Sequence, residues 1–177
     1  MSFDLGNLLT QYLGGAAGTN QNQAADDFDR VAQNAPRDAL AQGVTGALRS
    51  DQTPPFPQMV SQMFGQSNPN QRAGMLNQLL STLGPGVLAS LGSGALGNLF
   101  GGNGNANAGA PQLTPQQVST MTPEQVQEIA SNAEQHNPGI VDRMGEFYAQ
   151  HPQLVKGLGG AALAIALGHM AQGIRRN

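Results

Sequence analysis

Between Asp51 and Glu124 the chain carries a single charged side chain, Arg72. The 72 residues 52–123 otherwise meet water with Gln, Asn, Ser, Thr and backbone alone. About a quarter of an ordinary soluble surface is charged. So neutral a stretch gains when protein covers it, which points to a closely packing, assembly-type chain.

The rest of the composition agrees. At 177 residues the chain can bury roughly 70% of its unfolded surface, and 39% of it is hydrophobic, so it can build a core. That core must be made of Leu, Ala, Val and Met, because aromatics are 5% and Trp is absent. Net charge is −3, and the eight basic residues are scattered, so no phosphate backbone is attracted. Nucleic acid is excluded as a partner on this reading. Without cysteine there is no disulfide, thiolate or Cys-based metal chemistry. Met1–Asp4 lacks the basic start of a signal peptide. The longest apolar run, Leu158–Leu167, is ten residues, whereas a membrane span needs about 18 or more.

The punctuation predicts helices. Phe3, Leu5, Leu8, Leu9, Tyr12 and Leu13 make one apolar stripe, ended by Gly14-Gly15; Gly18–Gln23 reads as linker. Helices are expected over 24–33 and from Pro36 to about Arg49. Three prolines among Pro54, Pro55 and Pro57 make an extended connector. Helices follow from Pro57, from Pro69 and from Val87 towards Phe100. Thr114-Pro115-Gln116-Gln117-Val118 and Thr122-Pro123-Glu124-Gln125-Val126 repeat one helix-start phrase. In each, Thr caps, Pro takes the first helical position and Gln reaches back to the cap. The first is read as a single turn and the second as a helix over 123–136. Helices are then expected over 140–150 and from His151-Pro152 to about Ile174. No segment alternates with a strand's period of two. The expected fold is all-α, with six to eight short helices and the Gly/Ala-rich C-terminal helix packed centrally. The Gly/Asn-rich residues 101–111 read as a linker between regions 1–100 and 112–177, unless all three form one domain.

Two patterns point to contact surfaces. Gly157, Gly159, Gly160 and Gly168 interrupt the last helical pattern. At about 1 kcal/mol each relative to Ala they total roughly 4 kcal/mol, against a domain stability of about 5–15 kcal/mol. Gly160, Ala164 and Gly168, spaced at i, i+4 and i+8, allow another backbone to come close. That backbone belongs to this chain's own core, to another subunit or to a bilayer-embedded neighbour. Met59, Met63 and Phe64 share a helix side beside Gln58, Gln62 and Gln66. Either the Met face turns inward and the Gln face stays wet, or adaptable Met contacts a partner. The interface residues expected from these patterns are Met59, Met63, Phe64, Gly160, Ala164 and Gly168.

Chemistry finds little footing. Asp26-Asp27-Phe28-Asp29 lacks the oxygen-ligand loop calcium needs and reads as acid in a helix's first turn. His136, His151 and His169 have no metal-ligand spacing and read as caps or surface groups. Arg175-Arg176 read as cations complementing the last helix's negative end. No nucleophile stands with a base and an orienter, and Gly101–Gly104 lacks the strand and Lys-Ser/Thr of a phosphate cradle. An enzyme is not expected, and neither is a cofactor or metal.

The blocks Arg49-Ser50-Asp51-Gln52-Thr53-Pro54-Pro55-Phe56, Gly74-Met75-Leu76-Asn77-Gln78-Leu79-Leu80 and Phe147-Tyr148-Ala149-Gln150-His151-Pro152 resemble blocks of uncharacterised bacterial proteins of similar length. The Gly-broken leucine pattern of residues 1–20 is similar to the YidB-like family of Gln/Gly-rich helical proteins. The resemblance covers about a tenth of the chain. It implies a bacterial, non-secretory, all-helical protein and no activity. The expected function is structural: a self-associating subunit, or a helical element stabilising a larger complex, in the bacterial cytoplasm. The alternative is a membrane-associated protein that inserts its first or last helix at a bilayer.

Overall fold

The computed structural model describes residues 5–13, 21–93, 97 and 112–174. Within them the chain is all-helical, without strands. Eleven α-helices and one 3-10 turn replace the expected six to eight. The Thr-Pro repeat starts two separate helices, and glycine divides the last. The predicted linker 101–111, the Gly14-Gly15 stop, the Arg175-Arg176 pair and most of the block resembling the YidB-like family lie outside the described residues. The helices gather into two compact units: Met1–Pro55 with Val141–Asn177, and Phe56–Ile140.

The first unit holds α1 (Leu5–Tyr12), α2 (Gln21–Asn34), α3 (Arg37–Leu48), α9 (Ile140–Gln150) from Val141 on, α10 (Pro152–Val155) and α11 (Gly160–Ile174). α11 packs against α3 above all, and also against α1 and α2. Glycine and alanine explain the closeness. A Cβ built on Gly43 of α3 would sit 2.7 Å from the Ala166 carbonyl oxygen of α11. One built on Gly168 would sit 3.2 Å from the Tyr12 carbonyl oxygen. α3 and α9 run antiparallel. Arg49 donates to Asp142 at 2.8 Å, and a Cβ on Gly145 would meet Thr45 and the Ala41 carbonyl.

The predicted single helix from Pro152 to Ile174 is broken. α10 passes into a 3-10 turn, Lys156–Leu158, and Gly159 then adopts φ +82° before α11 begins at Gly160. Glycine alone takes such a φ without strain. This corrects the glycine cost reckoned from the sequence. Of the four glycines, only Gly168 lies inside an α-helix. Gly157 is in the 3-10 turn, Gly159 makes the break and Gly160 opens the next helix. The acidic cluster moves as well. α2 starts at Gln21, so Asp26, Asp27 and Asp29 stand inside it rather than in its first turn.

The second unit holds α4 (Phe56–Gln66), α5 (Pro69–Thr82), α6 (Pro85–Ser93), α7 (Pro115–Ser119) and α8 (Pro123–His136). α4 lies against α8, while α5 packs on α7, α8 and α4. Three helices begin with a reciprocal capping box: Asn68 with Gln71, Thr114 with Gln117 and Thr122 with Gln125. Each satisfies two orphan donors and sits beside a proline whose missing N–H is not needed. Asn77 of α5 fixes the segment before α7. Its amide donates to the Leu113 carbonyl at 3.1 Å, and its oxygen accepts from the Leu113 N–H at 2.7 Å. Each fully buried Leu, Met or Phe contributes about 1.5–3 kcal/mol. Met59, Met63, Met75, Leu76, Leu79 and Leu80 are all at 0% exposure.

Candidate functional site

The six residues expected at an interface are interior in the single chain. Met59 and Met63 are fully buried and Phe64 is 1% exposed in the second unit. In the first unit Gly160, Ala164 and Gly168 are buried. Their apolar surface is covered within the chain, and Gly168 faces the end of α1. The physical reason is periodicity: a helical stripe marks the face that is buried, and says nothing of which chain buries it. The sequence argument missed Gly43, Gly46 and Gly145, where an added Cβ would run into a neighbouring helix. A Cβ on Gly46 would lie 2.6 Å from the His169 ring. The signal was present, because glycine inside the helical patterns of α3 and α9 carries the cost argued only for the last helix.

The surface of the second unit is built from what remains. Gln58, Gln62, Gly65 and Gln66 are exposed along α4, and Asn68 and Asn70 follow at the start of α5. The side-chain amides of Gln58 and Gln62 make no hydrogen bond within the described chain. The one cation of this unit is committed to structure. Arg72 donates from Nε to the Phe64 carbonyl at 2.8 Å and from Nη2 to the Gly65 carbonyl at 3.0 Å. Its guanidinium also stands 4.9 Å from the Phe64 ring centre. It thereby binds carbonyls at the end of α4, where helix polarity favours a positive charge, and it adds a cation–π contact. The acids Glu124, Glu128 and Glu134 all lie on α8. At Glu124, hydrogen bonding at the helix start, to its own backbone and to Thr122, holds the carboxyl below the usual range. α4 and α5 therefore present amides and hydroxyls with no free charge.

In the first unit several polar groups are structural. Tyr12 donates to buried Asp27 at 2.7 Å, and Arg30 stands 3.6 Å from the same carboxylate. Lys156 pairs with Asp29. Burial, and then the Asp27 hydrogen bond and charge, push the Tyr12 hydroxyl pKa well up. Tyr148 is wholly buried with no partner for its hydroxyl among the described residues, and burial alone raises its pKa strongly. His136 ends α8, with Nδ1 2.8 Å from the Asn132 carbonyl oxygen. The His151 ring lies 4.7 Å from that of Phe147, and His169 covers Gly46. Among the described residues no three His, Cys, Asp or Glu side chains gather as metal ligands. No described helix is long and apolar enough to cross a membrane. No protein-family model, no curated protein and no solved structure matches this chain.

Proposed function

We propose that this chain is a structural helical protein that associates with copies of itself or stabilises a larger complex, and that it performs no catalysis. One observation carries the reading. The α4–α5 surface of the second unit is neutral, and its only cation is consumed by the end of α4. Such a surface meets a partner without desolvating charge, and the unpaired amides of Gln58 and Gln62 supply directional hydrogen bonds. The contact surface of this proposal is thus the Gln face of α4, displaced by one helix side from Met59, Met63 and Phe64. The setting is the bacterial cytoplasm, alongside the Gln/Gly-rich helical proteins of the YidB-like kind. The bilayer reading is less favoured, because Leu9 and Tyr12 of α1 and Leu163, Leu167 and Met170 of α11 are already buried.

Light scattering coupled to size-exclusion chromatography tests the proposal. A mass above that of the 18.3 kDa monomer, falling when Gln58 and Gln62 are both replaced by Glu, is the expected result. A monomer at every concentration, in the absence of any binding partner recovered with the chain, removes it.

A further inference from the structure

α3 and α9 touch where Gly145 lets them, and Arg49 closes on Asp142 at one end of their antiparallel contact. Towards the other end the two helices leave a cavity of about 400 Å³. Its apolar floor includes Ala41 and Ala149, the latter 8% exposed. Its walls are Arg37, Asp38 and Gln42 from α3, and Glu146 and Gln150 from α9.

Three cations of this unit pair within it, Arg49 with Asp142, Arg30 with Asp27 and Lys156 with Asp29, while the exposed Asp26, Asp51 and Arg143 make no ion pair among the described residues. The charges around the cavity, all on exposed residues, are likewise unpaired. None of the five polar side chains makes a hydrogen bond or ion pair among the described residues. Arg37 and Glu146 stand on opposite helices across the same space, as Arg49 and Asp142 do, yet they remain apart. Opposite charges held apart around a concavity of ligand size leave room for a molecule that pairs with both.

We infer that this cavity binds a basic amino acid of the arginine or lysine type. The site offers one positive and two negative groups, and such a ligand offers one negative and two positive. Its carboxylate meets the Arg37 guanidinium, a geometry that favours two parallel hydrogen bonds. Its α-ammonium and its side-chain cation meet Asp38 and Glu146. Gln42 and Gln150 accept and donate along the polar flanks, and the aliphatic stem lies over the alanine floor. The inference is independent of the self-association proposed above, which concerns the other unit.

Titration of the full-length, isotope-labelled chain with L-arginine, followed by amide chemical shifts at constant ionic strength, tests it. Saturable shifts centred on residues 37–42 and 146–150 are expected, with little response to L-glutamate or norleucine. Arg37→Gln and Glu146→Gln should each weaken binding by about tenfold or more, roughly 1.4 kcal/mol, while circular dichroism stays that of the parent. Three results overturn the inference: no saturation at tens of millimolar, shifts centred elsewhere, or affinity unchanged in both variants.

Discussion

Replacing Tyr148 by Phe should stabilise this protein, and replacing Tyr12 by Phe should destabilise it. Both rings are buried, at 0% and 4% exposure, so each substitution keeps the apolar contacts and removes one oxygen. The oxygens differ in their partners. The Tyr148 hydroxyl has none among the described residues, so folding takes it from water into an apolar interior uncompensated, at a cost of about 1–3 kcal/mol. The phenylalanine variant escapes that cost and leaves only the small space of one hydroxyl. A gain of about 1 kcal/mol, or roughly 2–4 °C in Tm for a chain of this size, is expected. The Tyr12 hydroxyl donates to Asp27 at 2.7 Å. Its loss leaves a carboxylate that is 6% exposed with only Arg30, 3.6 Å away. A hydrogen bond to a charged group contributes about 1.5–3 kcal/mol, so a loss of that size is expected. Urea unfolding followed by far-ultraviolet circular dichroism reads both effects. If Tyr148→Phe lowers stability by more than about 1 kcal/mol, the hydroxyl has a partner and the reasoning fails.

Alkaline pH provides a second check, because the chain has two tyrosines and no tryptophan. Both hydroxyls have pKa values raised in the fold. Above the unfolded value of about 10 the unfolded chain therefore binds fewer protons, and stability falls as pH rises past it. Tyrosinate absorbance should appear together with loss of helix, and ionisation near pH 10 in an intact fold would contradict the burial. Gly43→Ala should cost about 1–3 kcal/mol, because its methyl meets the Ala166 carbonyl. Gly65→Ala, with open space around it, should gain up to about 1 kcal/mol; equal effects in thermal melts would deny the α3–α11 contact. Arg72→Lys should lose about 1 kcal/mol despite keeping the charge, since ammonium cannot reproduce the two-carbonyl fork stacked on Phe64. A melt unchanged from the parent would show the fork to be incidental.

The candidate surface was half legible. The Gln58–Gln62–Gln66 row and the scarcity of charge were read directly, as was the alternative in which the Met face turns inward. Which face stayed open was not legible, because Met59 and Met63 suit a core as well as a partner. The cavity between α3 and α9 left no trace in the sequence. Arg37 and Glu146 are separated by more than a hundred residues, and only helix pairing brings them round one space.

What the chain determined by itself is its local grammar. Asn68-Pro69, Thr114-Pro115 and Thr122-Pro123 start helices where predicted, because a cap and its glutamine lie within one turn and need nothing distant. Apolar spacing likewise marked the buried side of α4. Only the tertiary structure decided that α3 lies on α11 and α4 on α8, joining helices from both sides of 101–111 within each unit. Only it gave Gly43 its neighbour and Asp27 its tyrosine. Helix formation is governed by groups three and four residues apart. Helix pairing depends on how well whole surfaces fit, and those surfaces come from segments that the sequence keeps far apart.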